Sequence, residues 1–335
     1  MLDRIELIAE TAWHHEGDFK FMNKLVEELI NNSKADYIKF HLTIDLEEYI
    51  DKRYGLFKTL KSWMFSPEQW AKILDMTLNS KKKIMLLLND RKAIDFGMKY
   101  NPRLVEIHSV CLNDLHLLMK LKDSISKDQK IVLGIGGSDL YEIENAVEVL
   151  KHDKIVLMFG FQNYPTKYED INLNKIRKIR QLYPNFEYGY ADHTAWNEEN
   201  NVLICLLGTA TGMNYLEKHI TLSPGKKRCD WQAAINVEMF NEIANKIEIL
   251  NSINGDGKLK LNDGEQAYSV FGPMKKAAVL NTDIKKGEVL NISMIDFKRT
   301  EDFTDCSQLD VIKMMGLSAS EDLMKYTVIL KKHFK

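Results

Sequence analysis

At 335 residues, with 45% hydrophobic and 28% charged side chains, the chain has material for a core larger than one ordinary domain supplies. A formal net charge of -2 provides no global basic field, so nucleic acid is not an expected partner. Cys111, Cys205, Cys229 and Cys306 form no CxxC pair, no secretory pattern opens the chain, and no apolar run approaches the roughly 20 residues that span a bilayer. A reduced cytoplasmic setting, away from the membrane, is the expectation.

Short aliphatic and β-branched runs recur along the chain in chain order: IELIAET (5–11), YIKFHL (37–42), KIMLLL (83–88), LVEIHS (104–109), KIVLGIG (130–136), KIVLMFG (154–160), FEYGYAD (186–192) and YLEKHIT (215–221). Between them, FKFMNKLVEELINN, PEQWAKILDMTLNS and SDLYEIENAVEVLKH repeat apolar residues every three or four positions, as amphipathic helices do, and the last carries a capping box of Asp139 and Glu142. Eight strand–helix units with right-handed crossovers favour closure into a TIM (β/α)8 barrel over an open doubly wound sheet. After the helix EMFNEIANKIEILNSI the texture changes to a Gly- and Asp-bearing stretch (253–265) and then to short strands and turns (277–300). The expected division is a barrel over 1–252, a linker over 253–272 and a small β-rich domain over 273–335.

In such a barrel the chemistry sits at the C-terminal ends of the strands. Polar residues there are Glu10, Lys39, His41, His108, Ser109, Asp192, His193, Glu217, Lys218 and His219. Either His193 or His219 alone reads as a hydrogen-bonded barrel histidine; together on adjacent strand ends they can converge on one metal ion and leave positions open. Nitrogen ligands suit several divalent ions. Lys39 lies within an apolar strand, so it must face a carboxylate or a phosphate, and an ion pair with Glu10 or Glu106 is the plain alternative to a ligand contact. The GIGGSD turn (134–139) could place phosphate at a helix N-terminus but needs none as a tight turn. His14–His15 suggest a surface or substrate-contacting loop, and NLNKIRKIRQL a solvated helix face.

Several motifs resemble those of the sialic acid synthase family. IAETAWHHEGD (8–18) is similar to IAE-x-x-x-NH-x-G, ADYIKFH to GAD-x-x-KFQ, NYPTKYEDINL (163–173) to YPT-x-x-ED-x-NL, GYADHT (189–194) to G-x-SDHT, and LEKHITL (216–222) to IEKHFTL. The tail, with its DIKKGE stretch, resembles the family's antifreeze-like domain. The resemblance implies a synthase that joins phosphoenolpyruvate to an open-chain N-acetylated hexose with release of phosphate. It implies a divalent metal, manganese or magnesium, on His193 and His219, and Glu10 as a catalytic carboxylate. Lys39 would be a catalytic residue and donor contact, Ser109 a retained substrate-binding serine, Gln162 and Tyr164 sugar contacts, and Asp230 a sugar contact with a catalytic role. A domain-swapped homodimer, with Arg299 reaching the sugar, follows from the same resemblance.

The chain departs from the family pattern on the donor side. Leu87 stands where a threonine is expected, Glu106 where a lysine is, Cys111 where a glutamate is, and Gly134 where a serine is. A metal-dependent sugar lyase, aldolase or epimerase, and a non-catalytic sugar-binding homologue, are the alternatives these departures leave open.

Overall fold

The computed structural model describes residues 4–160 and 163–335. The chain divides into two compact units, one ending at Gly257 and one beginning at Lys258. In the first, β1 (Glu6–Glu10), β2 (Tyr37–Leu42), β3 (Lys83–Leu88), β4 (Leu104–Ile107), β5 (Lys130–Gly134), β6 (Ile155–Gly160), β7 (Glu187–Asp192) and β8 (Tyr215–His219) form a closed parallel barrel in sequence order, with β8 pairing back onto β1. This is the TIM barrel expected from the eight apolar runs. β4 stops short of the expected end because His108 leaves the ladder, and its Nδ1 accepts from the backbone N–H of Val110 at 3.3 Å to cap a short 3-10 turn over Ser109–Cys111.

Helices cover the outside of the barrel for reasons the sequence supplies. Phe19–Asn32 starts where the Asp18 carboxylate accepts from the Phe21 amide, and it buries Met22, Leu25, Val26 and Leu29 along one stripe. Each such side chain contributes about 1.5–3 kcal/mol on leaving water. Pro67–Leu78 begins with a Ser66–Gln69 capping box, and Leu140–Leu150 with the expected Asp139–Glu142 box. Leu173–Leu182 buries Ile176 and Ile179 and turns Lys175, Arg177 and Lys178 to solvent, whereas Arg180 folds inward over the Tyr188 ring and donates to the Thr211 carbonyl.

Because the strands tilt, alternate strands supply each interior layer of side chains. The strand registers place Tyr37, Leu104, Val156 and Tyr215 in one layer, with Ile8, Met85 and Val132 above them, all buried. The next layer up holds Lys39, Glu106, Met158 and Glu217. Met158 reaches this level past Gly189, where an added Cβ would meet its sulfur at 2.6 Å. The barrel therefore changes from apolar to ionic partway along its axis.

The second unit carries a two-stranded antiparallel sheet of β9 (Ala277–Leu280) and β10 (Ile295–Lys298), with further bridges such as Val279 to Val328 and Ile284 to Leu323. Its own core includes Leu280, Ile284, Leu290, Val311 and Ile329. The stretch expected as a linker is not featureless. The barrel's last helix, Val237–Asn254, extends into it, and a capping box of Asn262 and Glu265 starts a short helix at Asp263–Tyr268. Among the described residues, no helix is long and apolar enough to cross a membrane.

Candidate functional site at the barrel mouth

Above the ionic layer the registers set Glu10, Leu87, Gly134 and Ala191, and above these His41, His108, Gly160 and His219. Strand alternation turns all of these inward. The small residues Gly134, Gly160 and Ala191 leave a cavity of about 200 Å³ that reaches down to the ionic layer. That is below the roughly 300–1,000 Å³ of sites for drug-sized ligands, and it suits a small metabolite.

Glu10, His193 and His219 converge at one wall. Their ligand-capable atoms all lie within 4.8 Å of one another, and all three side chains are buried. The two Nε2 atoms face each other at 3.1 Å, and His219 Nε2 lies 2.9 Å from Glu10 Oε2. Tetrahedral coordination with bonds of 2.0–2.1 Å would set two nitrogens about 3.3 Å apart, so the pair already has metal-site spacing. Burial, reinforced by neighbouring His219, pushes His193 down to about 3, which leaves its imidazole neutral with a lone pair to offer. Burial opposes charge on Glu10 as well, but Lys39 and His219 prevail and hold its carboxyl well below the usual carboxylate range. Two imidazoles and a carboxylate suit a divalent transition ion, and the residues present fit such a group.

The turn that carries His193 is fixed from behind. Asp192 and Lys218, facing away from the cavity, pair at 2.6 Å with side chains 1% and 0% exposed. Asp192 also accepts from the Thr194 hydroxyl at 2.7 Å and the Tyr190 hydroxyl at 3.1 Å. Burial would raise its carboxyl, yet Lys218 holds it below the usual value. The DHT and EKH motifs therefore interlock, with one residue of each binding the other and the histidines turned to the cavity. Tyr164 closes this wall, its ring 4.8 Å from that of His193.

At the floor, Lys39 is enclosed. Its ammonium lies 2.6 Å from Glu106, 2.9 Å from Glu217 and 3.0 Å from Glu10. One ammonium meets three carboxylates and donates a hydrogen bond to Glu217, so the ion pair that was the plain alternative is what forms, and with more acids than the two expected. Burial pushes Glu106 up, and burial together with neighbouring Glu10 pushes Glu217 well up.

Asp230 lines the cavity from the loop after β8, with a left-handed φ of 58°. That loop is gripped by the segment after β1. His14 Nδ1 bonds the Cys229 carbonyl at 2.5 Å, the Cys229 amide donates to Glu16 at 2.8 Å, and the Arg228 guanidinium lies 4.0 Å from the centre of the Phe21 ring. His14 and His15 are thus each 1% exposed, which corrects the expectation of a surface pair. The doublet reads as loop because it lies between the end of a strand and the Glu16-Gly17-Asp18 turn, but His15 stacks on Phe65 at 4.2 Å while His14 faces the other loop. Burial pushes them down to about 3 and about 4 respectively.

The structure brings Glu10, Lys39, Ser109, Tyr164, Asp230, His193 and His219 to one cavity. Gln162 lies outside the described residues. Arg299 belongs to the second unit, where its Nε donates to the Pro273 carbonyl at 2.6 Å. Leu87 is fully buried by its inward position, whereas Cys111 is buried outside the cavity lining. Trp13, Tyr49 and Asn89 also line the cavity: Trp13 stands at a variable position of the IAETAWHHEGD motif, Tyr49 ends a short helix at Leu46–Tyr49, and Asn89 follows β3, and none carries a charge that would have drawn notice.

The sequence profile of the NeuB family matches residues 12–259. An uncharacterized protein of Methanocaldococcus jannaschii is 30% identical over 311 residues, covering 91% of this chain and 88% of its own. The N,N'-diacetyllegionaminic acid synthase of Campylobacter jejuni is 26% identical over 314 residues, covering 88% and 90%. In fold, the chain superposes on a spore coat polysaccharide biosynthesis protein E from Chromobacterium violaceum with a TM-score of 0.83, at 18% identity and 99% coverage of both chains. With the metal-capable triad at the mouth of a closed eight-stranded barrel and the profile match running through it, the chain belongs to the NeuB family.

Proposed function

We propose that this chain is a nonulosonic acid synthase that condenses phosphoenolpyruvate with an open-chain N-acetylated hexose. C3 of the donor forms a bond to the aldehyde carbon, water adds at C2, and phosphate departs. The observation that carries the reading is the convergence of Glu10, His193 and His219 on one point of a cavity that Tyr164 and Asp230 also line. A divalent ion held by these three would supply Lewis acidity toward an aldehyde oxygen and a fixed point for the sugar. The ionised Glu10 carboxylate, bonded to His41 at 2.5 Å, is placed to accept a proton, and Tyr164 and Asp230 are placed to orient hydroxyl groups. A swapped homodimer and Arg299 as a sugar contact belong to the same proposal, and its kinship includes enzymes named for legionaminic and pseudaminic acid synthesis.

The saturated Lys39 favours a second reading, a metal-dependent aldolase or lyase acting without a phosphorylated donor. The test supplies manganese-loaded protein with phosphoenolpyruvate and a panel of N-acetylated hexoses and measures phosphate release. Release that requires both substrates and the metal supports the synthase. Carbon–carbon cleavage of a nonulosonic acid to pyruvate, with no phosphate release from the donor, supports the second reading.

A further inference from the structure

The floor of this cavity is formed by one lysine and the acids around it. Among the described lining residues, Lys39 is the sole lysine or arginine, against Glu10, Glu106, Glu217 and Asp230. An ammonium has three N–H donors. Lys39 donates to Glu217 at 2.9 Å, its ammonium is ion-paired with Glu106 at 2.6 Å and Glu10 at 3.0 Å, and its side chain is 2% exposed. Glu10 is also committed to His41 and His219. Among the described residues Glu106 pairs with no second lysine or arginine, and the backbone beside it lies close to its carboxylate: a Cβ at Gly134 would lie 3.4 Å from Glu106 Oε1 and 2.9 Å from the Ser109 amide nitrogen. A side chain at position 134 would therefore crowd both.

We propose that Glu106 is the residue that sets the charge a ligand can present to the floor: by pairing with the Lys39 ammonium at 2.6 Å it excludes phosphate or a second carboxylate there. The floor then receives an uncharged end of the ligand. A phosphorylated donor, if the synthase reading holds, turns its phosphate toward the mouth. The inference rests on that reading only in taking this cavity as the ligand site; the Lys39 geometry stands without the metal.

Calorimetric titration of the full chain with inorganic phosphate, metal-free, and with phosphoenolpyruvate, manganese-loaded, tests it in the wild type, Glu106→Gln and the double variant Glu106→Gln/Lys39→Met. Removing one negative charge several ångströms from an anion at an effective dielectric of about 20 is expected to tighten both anions roughly ten- to a hundredfold in Glu106→Gln. The double variant should lose that gain, because the freed lysine is what binds, and circular dichroism checks that each variant is folded. Equal affinity in wild type and Glu106→Gln, or a gain that survives loss of Lys39, overturns the proposal. Failure of manganese to bind would count against the synthase reading alone, since the phosphate titration is metal-free.

Discussion

Replacing Lys39 by Met removes the one cation among three buried carboxylates. Each contact, at 2.6–3.0 Å, corresponds to about 6 kcal/mol of attraction at an effective dielectric of about 20. The carboxylates repel one another and all four groups have left water, so most of that attraction is already offset in the wild type. The expected net loss is that of breaking a buried pair, about 3–5 kcal/mol, a large share of the 5–15 kcal/mol that holds a typical protein folded. The sign of the pH dependence follows from the same groups. Without Lys39 the carboxyls of Glu10, Glu106 and Glu217 titrate higher than in the unfolded chain, so protonation relieves the strain, and the deficit is full near pH 8 and shrinks as pH falls toward 5.5. Urea unfolding of metal-free protein, followed by far-UV circular dichroism at both pH values, measures it. A loss below about 1 kcal/mol at pH 8, or one that grows on acidification, would refute the reading of Lys39 as the counter-charge of this layer.

His193→Ala removes one of the two facing imidazole nitrogens, and manganese affinity by calorimetry is expected to fall at least about a hundredfold with the melt of the metal-free protein little changed. An unaltered affinity would place the ion elsewhere. Four histidines held neutral by burial, His14 at about 4 and His15, His108 and His193 at about 3, take up a proton more readily when unfolded. Their contribution to stability is complete above pH 6.5 and is lost as pH falls from there toward 3, at about 1.4 kcal/mol per pH unit for each one that remains neutral. Glu106 and Glu217, pushed up by burial, act in the opposite sense, so the check is a single site: a metal-free stability slope between pH 6.5 and 4.5 that is the same in wild type and His15→Gln would contradict this for His15.

The barrel was legible in the sequence because local chemistry decides it. Apolar runs of strand length, the Ser66, Asp139 and Asp18 caps and the three-and-four spacing of Met22, Leu25, Val26 and Leu29 act within a few residues, and the structure keeps them nearly where the sequence puts them. Strand alternation likewise aimed Glu10, His193 and His219 at one axis, since a period of two fixes which side chains face inward once the barrel closes. Within the stretch expected as a linker, Asn262 and Glu265 cap a short helix, a signal its glycines overshadow.

Tertiary structure alone decided what the inward residues meet. Lys39, Glu106 and Glu217 are far apart in sequence, and only the stagger of a tilted, closed sheet places them in one layer, where with Glu10 above them three acids pair with one lysine. His14 and His15 are buried for the same kind of reason. The Glu16-Gly17-Asp18 stretch that follows them reads as surface, while their neighbours in space are Phe65, Phe21 and the Cys229 carbonyl, brought together only by the fold. Short-range patterning thus fixed the barrel and the side chains that line it, and the closure of the barrel, a long-range constraint, fixed their partners and so their charge.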